Sequence, residues 1–305
     1  MAKLIRWENL LTYDTLVHAV AGAAGSAVAM TVFFPLDTVR SRLQVEERRE
    51  PKGTLVLLRE LVADEGPGSV YRGLGPVLTS LWCSNFVYFY SFHGLRSVTA
   101  AGGHSALSDL FLASVAGVVN VLATTPLWVV NTRIKMQGAK VLAGDGLRRH
   151  PRYEGLWHGL RHIARTEGLA ALWASTLPSL VLVSSPAVQF MVYEALKRRA
   201  ADAQLPLSGA VVFAIGALSK VISTVATYPL QLVQAKLRYG CPEADKGLAG
   251  LLLHIARTQG PAGLYRGLEA KLWQTVLTAA LMFVAYEKIV RFVMRLLKPS
   301  VRAAY

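Results

Sequence analysis

One sequence pattern occurs three times along this chain and limits its possible folds more than any other feature. Each copy starts with a proline near the end of an apolar stretch, as PLDTVRSR from Pro35, PLWVVNTR from Pro126 and PLQLVQAK from Pro229. A second marker follows each copy, as EGPGSVYRG, EGLAALWAS and QGPAGLYRG. Self-similarity at a long period indicates structural units that share one architecture. The expected units are residues 1–104, 105–204 and 205–305.

Long apolar stretches predict that the chain crosses a membrane six times. With its flanks, each stretch approaches the roughly 20 residues that a helix needs to cross a hydrocarbon core of about 30 Å. A chain with 53% hydrophobic and 17% charged residues is too apolar for a soluble domain and too rich in apolar residues for a disordered one. The predicted crossings are Leu16–Phe34, Leu74–Phe92, Leu110–Val130, Ala174–Tyr193, Gly209–Leu230 and Leu272–Tyr286.

Each unit is expected to contain two long helices joined by a polar loop with a short amphipathic helix. In the loops, apolar residues recur three and four positions apart, which is the spacing of one helix face. The extra length of the second unit lies in its loop, around Ala139–Pro151. The short helices are expected near Thr54–Ala63, Leu156–Arg165 and Leu248–Arg257. The predicted fold is an all-α membrane protein with six transmembrane helices in three pseudo-symmetric hairpins.

The three recurring prolines are expected to kink the first long helix of each unit. A proline inside a helix removes a backbone hydrogen bond, and in hydrocarbon the freed carbonyl has to find another partner. The alternative is that Pro35, Pro126 and Pro229 mark helix ends.

The paired markers resemble those of the mitochondrial carrier family, whose sequences repeat Px[DE]xx[KR]x[KR] followed by [DE]Gxxxx[YW][KR]G three times. The resemblance covers essentially the whole chain. Within the family, CSNFVYFYSF, TTPLWVVNTR and YRGLEAKLWQTVLTAALMFVAYEK are most like the peroxisomal branch, which is associated with CoA, FAD, NAD and AMP.

This resemblance implies an alternating-access transporter of anionic adenine-containing cofactors and nucleotides, ADP included, in the peroxisomal membrane. It also implies cytosolic termini and loop helices on the organelle side, exchange of substrates, no permanently bound cofactor, and a monomer delivered by a peroxisomal membrane-protein import receptor. A mitochondrial inner-membrane nucleotide or cofactor carrier remains an alternative, as does a non-transporting membrane scaffold on a carrier fold.

By the same resemblance, a gate at the organelle-side end is closed by ion pairs between the acid of one repeat and the base of the next. Only the first repeat keeps both charges, so a complete ring of ion pairs is excluded. We expect hydrogen bonds or packing instead, hence a weak gate and an easy return of the empty carrier. The predicted pairs are Asp37–Asn131, Arg40–Gln231 and Trp128–Gln234.

A cytosolic gate is implied by the family pattern [YF][DE]xx[KR], which is also incomplete here. Its charged or titratable positions are His93, Arg96, Glu194, Lys197 and Glu287. The histidine stands where an acid is usual, so this gate would respond to pH near neutrality, unless the ring is simply solvated at the membrane interface.

Two lysines are candidates for substrate binding because ionisable groups inside a membrane span usually face a cavity. Lys220 lies nine residues before Pro229, which places it about 13 Å along the helix and near mid-membrane. A single cation that breaks the threefold pattern suits an asymmetric anion, whereas the alternative is a lysine that reaches towards the interface. Lys271 lies nearer the organelle side, where a structural or steering role is equally consistent.

Further contacts are implied by the family's binding positions, about three helical turns before the cytosolic pattern. These positions hold Ser80, Val181, Leu182, Gln274 and Thr275. The aliphatic pair would pack against a flat base, and Asn85 and Asn120 would hydrogen bond to base or ribose. The alternative for each polar side chain is packing between helices.

The charge of the chain supports an anionic cargo, and its distribution does not fit other classes of function. The net charge is +14, and the three long loops carry seven, eight and five Lys or Arg residues. Placing these basic loops inside the organelle follows the resemblance and conflicts with the positive-inside rule. The charges flank spans, which does not fit nucleic-acid binding, and no GxSxG, HExxH or Walker motif indicates a catalytic or metal site.

Overall fold

Helices account for nearly all of the structure, a computed structural model. The described residues are 13–46, 53–99, 106–139, 141–143, 146–148, 151–204 and 209–281. The end of the sixth predicted crossing and Glu287 lie outside them. The predicted all-α class is confirmed, and the one addition is a two-stranded antiparallel ribbon in the long second loop, β1 (Val141–Ala143) with β2 (Gly146–Arg148).

The helices follow one another in the order that the repeats predict, except that the second long helix of the second repeat, predicted as one crossing over Ala174–Tyr193, is divided at residues 183 and 184. The first repeat contains α1 (Tyr13–Val45), α2 (Thr54–Glu65), a 3₁₀ turn (Pro67–Tyr71) and α3 (Leu74–Thr99). The second contains α4 (Ala106–Lys135), α5 (Leu156–Thr166), a 3₁₀ turn (Leu169–Trp173), α6 (Thr176–Leu182) and α7 (Ser185–Asp202). The third contains α8 (Gly209–Tyr239), a 3₁₀ turn (Pro242–Lys246), α9 (Gly247–Thr258), α10 (Gly260–Gly263) and α11, which covers 268–281.

Three segments of the described chain are long and apolar enough to cross a membrane. They are Phe111–Lys135, Leu169–Asp202 and Val211–Tyr239. All three recurring prolines lie inside helices, so the alternative that they mark helix ends is wrong. In α4, the carbonyl of Leu122 is the one that Pro126 leaves without its helical donor, and the indole of Trp173 donates to it.

The chain divides into two compact units, one from residues 1–34 and 273–305 and the other from residues 35–272. Within the second unit, α3 packs along α4 and α7 packs along α8. Each short loop helix buries its apolar face on the last turns of the proline-containing helix of its own repeat. In the first repeat, for example, Leu57 and Leu61 of α2 pack with Val39 and Leu43 of α1.

The ends of the three proline-containing helices meet in a shared apolar cluster, here called the terminal cluster. Its members are Val45, Met136, Ala139, Tyr239 and Cys241. Each of these side chains is at most 4% exposed. The terminal cluster therefore holds the last turns of α1, α4 and α8 together directly beyond the predicted organelle-side gate.

Candidate functional site

At the interface of α1 and α4, the predicted gate contains a salt bridge that the sequence analysis missed. Asp37 accepts a hydrogen bond from the ammonium of Lys135, and its other oxygen lies 3.2 Å from the guanidinium of Arg40. The predicted pair Asp37–Asn131 is wrong, as is the expectation that no salt bridge crosses this interface. Asn131 is buried, and neither polar atom of its amide has a partner among the described residues. Lys135 lies one helical turn beyond it and reaches Asp37 instead.

At the interface of α4 and α8, an arginine takes the place of the predicted amide. The guanidinium of Arg238 lies 5.5 Å from the ring centroid of Trp128, a cation–π distance, and its Nε donates to Ser175 at 3.2 Å. Gln234, the predicted partner of Trp128, donates instead to Ser179 at 2.8 Å. The polar contact across this interface is therefore made one turn beyond the predicted position.

The third interface, between α8 and α1, is closed by an amide and a phenol. Gln44 donates to the hydroxyl of Tyr228 at 3.2 Å, and that hydroxyl donates to the carbonyl of Arg266 at 2.8 Å. Arg40 and Gln231 were predicted to pair here, but the hydrogen bonds of each stay within its own helix, to Asp37 and Thr227 respectively. Position 267, beside this contact, favours glycine, because its φ is +84° and an added Cβ would lie 3.0 Å from the Tyr228 hydroxyl.

A common rule describes the three interfaces. In each, the cross-helix contact is made by the residue four positions after the predicted base, namely Gln44, Lys135 and Arg238. Four residues are about one turn, so these side chains share a face with the predicted ones. The gate is therefore displaced by one turn towards the terminal cluster.

Two arginines lock the loop helices to the gate helices, a role that the sequence analysis did not assign. Arg42 lies 2.9 Å from Glu65, and Arg133 lies 2.8 Å from one oxygen of Glu167 while its other amino group bonds the second oxygen. Both arginine side chains are 1% exposed. The available signal was the recurrence of an arginine at the end of the Pro marker and an acid at the start of the second marker in two repeats.

Lys220, the predicted mid-membrane cation, is exposed on α8, and its Nζ lies 3.2 Å from the Gln189 side-chain oxygen on α7. Gln189 was not predicted as a site residue. One turn along, Ser223 donates to the carbonyl of Ser185 at 3.2 Å, which ties the same two helices together. The neighbouring amide of Gln189 carries no charge, so it does not compensate that of a cation beside it.

The remaining predicted substrate contacts are dispersed. Asn120 accepts a hydrogen bond from Ser84 at 3.1 Å, between α4 and α3, while Asn85 is exposed. Ser80 is fully buried, and Lys271 is half-buried at the start of α11. Val181 is exposed and Leu182 is half-buried. The predicted contacts Gln274 and Thr275 lie on α11 in the other compact unit, where Gln274 is buried and Thr275 is half-buried.

The described residues of the predicted cytosolic gate lie in different surroundings. Arg96 lies 3.7 Å from Asp109 of α4, and Lys197 lies 5.9 Å from the ring centroid of Tyr193 on its own helix. His93 is exposed and packs against Phe89 and Phe92, while Glu194 is half-buried.

The structure also contains a cavity of about 850 Å³ that none of the predicted gate residues lines. Its lining includes Arg72, Gln137, Arg152 and Glu154, and none of the predicted binding residues borders it. Among the described residues, no group of His, Cys, Asp and Glu side chains is arranged to hold a metal ion.

Apolar membrane-length helices and an exposed lysine within one of them are typical of a membrane transporter. The mitochondrial carrier protein family matches residues 12–100, 102–203 and 206–296. The chain belongs to the mitochondrial carrier family, as its sequence motifs predict.

Several similar proteins have peroxisomal names. The chain is 52% identical to peroxisomal membrane protein PMP34 of Mus musculus over 291 residues, which are 92% of this chain and 94% of the relative. It is 31% identical to the peroxisomal nicotinamide adenine dinucleotide carrier of Arabidopsis thaliana, over 91% of this chain and 96% of the relative. It is also 31% identical to peroxisomal adenine nucleotide carrier 1 of Glycine max, over 90% and 91% respectively.

Proposed function

We propose that this protein carries anionic adenine-containing cofactors and nucleotides across the peroxisomal membrane by alternating access. The cargo class comprises NAD, AMP, ADP, CoA and FAD. The observation that carries the proposal is the exposed ammonium of Lys220 on a membrane-length helix, 3.2 Å from the neutral Gln189 amide oxygen. A relative named as an NAD carrier and one named as an adenine nucleotide carrier support the same cargo chemistry.

In the proposed cycle, the displaced gate contacts keep one end of the pathway shut until cargo is bound. The pair Asp37–Lys135 adds an ionic contact in a poorly hydrated constriction, where opposite charges attract more strongly than in water. The expectation that the empty carrier returns easily depended on the absence of such a pair and loses that basis. We therefore propose exchange of one cargo molecule for another as the main mode of transport.

The arrangement in the membrane follows from the same proposal. Three carrier repeats at 1–104, 105–204 and 205–305 would form one monomeric pathway, with both termini in the cytosol. Delivery would use a peroxisomal membrane-protein import receptor. Fluorescence imaging of the tagged full chain against peroxisomal and mitochondrial markers tests the compartment, and a mitochondrial pattern would contradict it.

Uptake of radiolabelled NAD, AMP, CoA and FAD into proteoliposomes that hold unlabelled cargo tests the function. We expect Lys220→Gln to lower the uptake of all anionic cargo by about tenfold, equivalent to about 1.4 kcal/mol. Arg257→Gln is the matched control, since Arg257 is an exposed cation of the same repeat on α9. Equal uptake by Lys220→Gln and wild type, or no uptake of any cargo, would contradict the proposal and favour a non-transporting scaffold.

A further inference from the structure

The gate region carries more positive than negative charge. Asp37 is shared by Arg40 and Lys135, and Lys271 interacts electrostatically with all three of them. Arg40 also interacts electrostatically with Arg238. Three cationic side chains thus interact with one carboxylate within the second compact unit, and a fourth, Arg238, interacts with one of those three.

Arg238 is a gate cation whose charge is not compensated by an acidic side chain of the described chain. Its side-chain contacts are the ring of Trp128 and the hydroxyl of Ser175, and within the described chain its guanidinium contacts no carboxylate. Arg238 is half-buried, and a partly desolvated cation without an acid is less stable than a fully hydrated one unless an anion compensates it. A guanidinium is suited to hold two phosphate oxygens at once.

A polar stripe connects this gate region with Lys220. Lys220 and Arg238 are eighteen residues apart on α8, which is five full turns, so both lie on the same face about 27 Å apart along the axis. Polar side chains at Thr227, Gln231 and Gln234 occupy the same face between them. Lys271, at the start of α11, interacts electrostatically with Lys220 as well as with the gate residues.

We propose that the cations of the gate form a second anion subsite, which binds the pyrophosphate group of the cargo and competes with Asp37 for Lys135. The inference rests on the proposed function and deepens it. NAD, FAD, CoA and ADP contain a pyrophosphate group, whereas AMP contains a single phosphate. Binding of the second phosphate withdraws Lys135 and Arg40 from Asp37 and weakens the contact between α1 and α4. The cargo thereby loosens the gate that it has to pass.

Thermal unfolding of the purified full chain in detergent, titrated with ADP and with AMP, tests this subsite, since a ligand that binds the folded chain stabilises it. We expect Arg238→Gln to lower the affinity for ADP by about tenfold and that for AMP by less than about twofold, since one charge-assisted contact to phosphate is lost. Arg257→Gln, the exposed control, should leave the ADP-to-AMP affinity ratio of the wild type unchanged.

A second variant separates loss of the subsite from general damage. Asp37→Asn removes the competitor and should raise the affinity for ADP several-fold with little change for AMP, an increase that misfolding does not produce. An unchanged ADP-to-AMP ratio in both variants would overturn the subsite. Stabilisation by neither nucleotide in the wild type would instead contradict the proposed cargo class itself.

Discussion

The indole Nε1 of Trp173 lies 2.8 Å from the carbonyl oxygen of Leu122 and donates a hydrogen bond to it. Pro126 has no N–H with which to bond that carbonyl four residues earlier, so the 3₁₀ turn of the second repeat supplies the donor that α4 lacks. A proline within a membrane-length helix is thereby accommodated without leaving its acceptor unpaired.

Trp173→Phe should lower the free energy of unfolding by about 1–3 kcal/mol, because it keeps the ring and removes the donor to the Leu122 carbonyl. Thermal unfolding in detergent measures the change. Trp157→Phe is the control, since Trp157 lies on α5 and is 84% exposed. Equal effects of the two substitutions would show that the hydrogen bond contributes nothing.

Breaking the pair Asp37–Lys135 should be strongly destabilising. Lys135→Gln or Asp37→Asn alone removes one member of a buried ion pair and should lower the free energy of unfolding by about 3 kcal/mol. The double variant should lose much less than the sum of the two, since no unpaired charge of this pair remains. A double-variant cycle in thermal or denaturant unfolding measures the coupling, and strictly additive losses would mean that the two side chains act independently.

Gln189→Glu should lower the uptake of anionic cargo by about tenfold, because a carboxylate 3.2 Å from Lys220 would replace the neutral amide and neutralise the ammonium. Initial uptake rates of NAD in proteoliposomes measure the effect. Gln204→Glu, in the exposed turn just after α7, adds the same charge away from Lys220. Similar losses in both variants would indicate a general charge effect and remove Gln189 from the binding site.

Gly159→Ala should destabilise the second repeat by about 1–3 kcal/mol. A Cβ at Gly159 of α5 would lie 2.4 Å from a methyl carbon of Val130 on α4, so the two helices would have to separate. Gly216→Ala on α8 is the control, because its Cβ would meet nothing within 4 Å. Thermal unfolding of both variants should show a loss for the first only.

The sequence predicts helices better than it predicts contacts between them. The repeats and apolar periodicity place α2, α5 and α9 correctly, because both features depend on residues close along the chain. The cross-helix partners of Asp37 and Trp128 were wrong because two side chains one turn apart share a face. Which of them reaches across depends on the axial offset of the helices, and periodicity leaves that offset undetermined.

The sequence nevertheless contains a pattern that indicates the correct cations. Where the expected base is an amide, as at Asn131 and Gln234, the next cation on the same face is Lys135 or Arg238. Gln189 carried no such signal, since its role depends on lying opposite Lys220 on a neighbouring helix.

The terminal cluster gives the gate a component that ionic strength does not affect. Added salt screens the attraction between charged side chains, whereas contacts among Val45, Met136 and Tyr239 persist or strengthen under the same conditions. Parting α1, α4 and α8 at this end also wets those apolar side chains, and the resulting free-energy penalty grows with warming from low temperature. Leakage through the unloaded protein should therefore remain low in concentrated salt and rise on chilling.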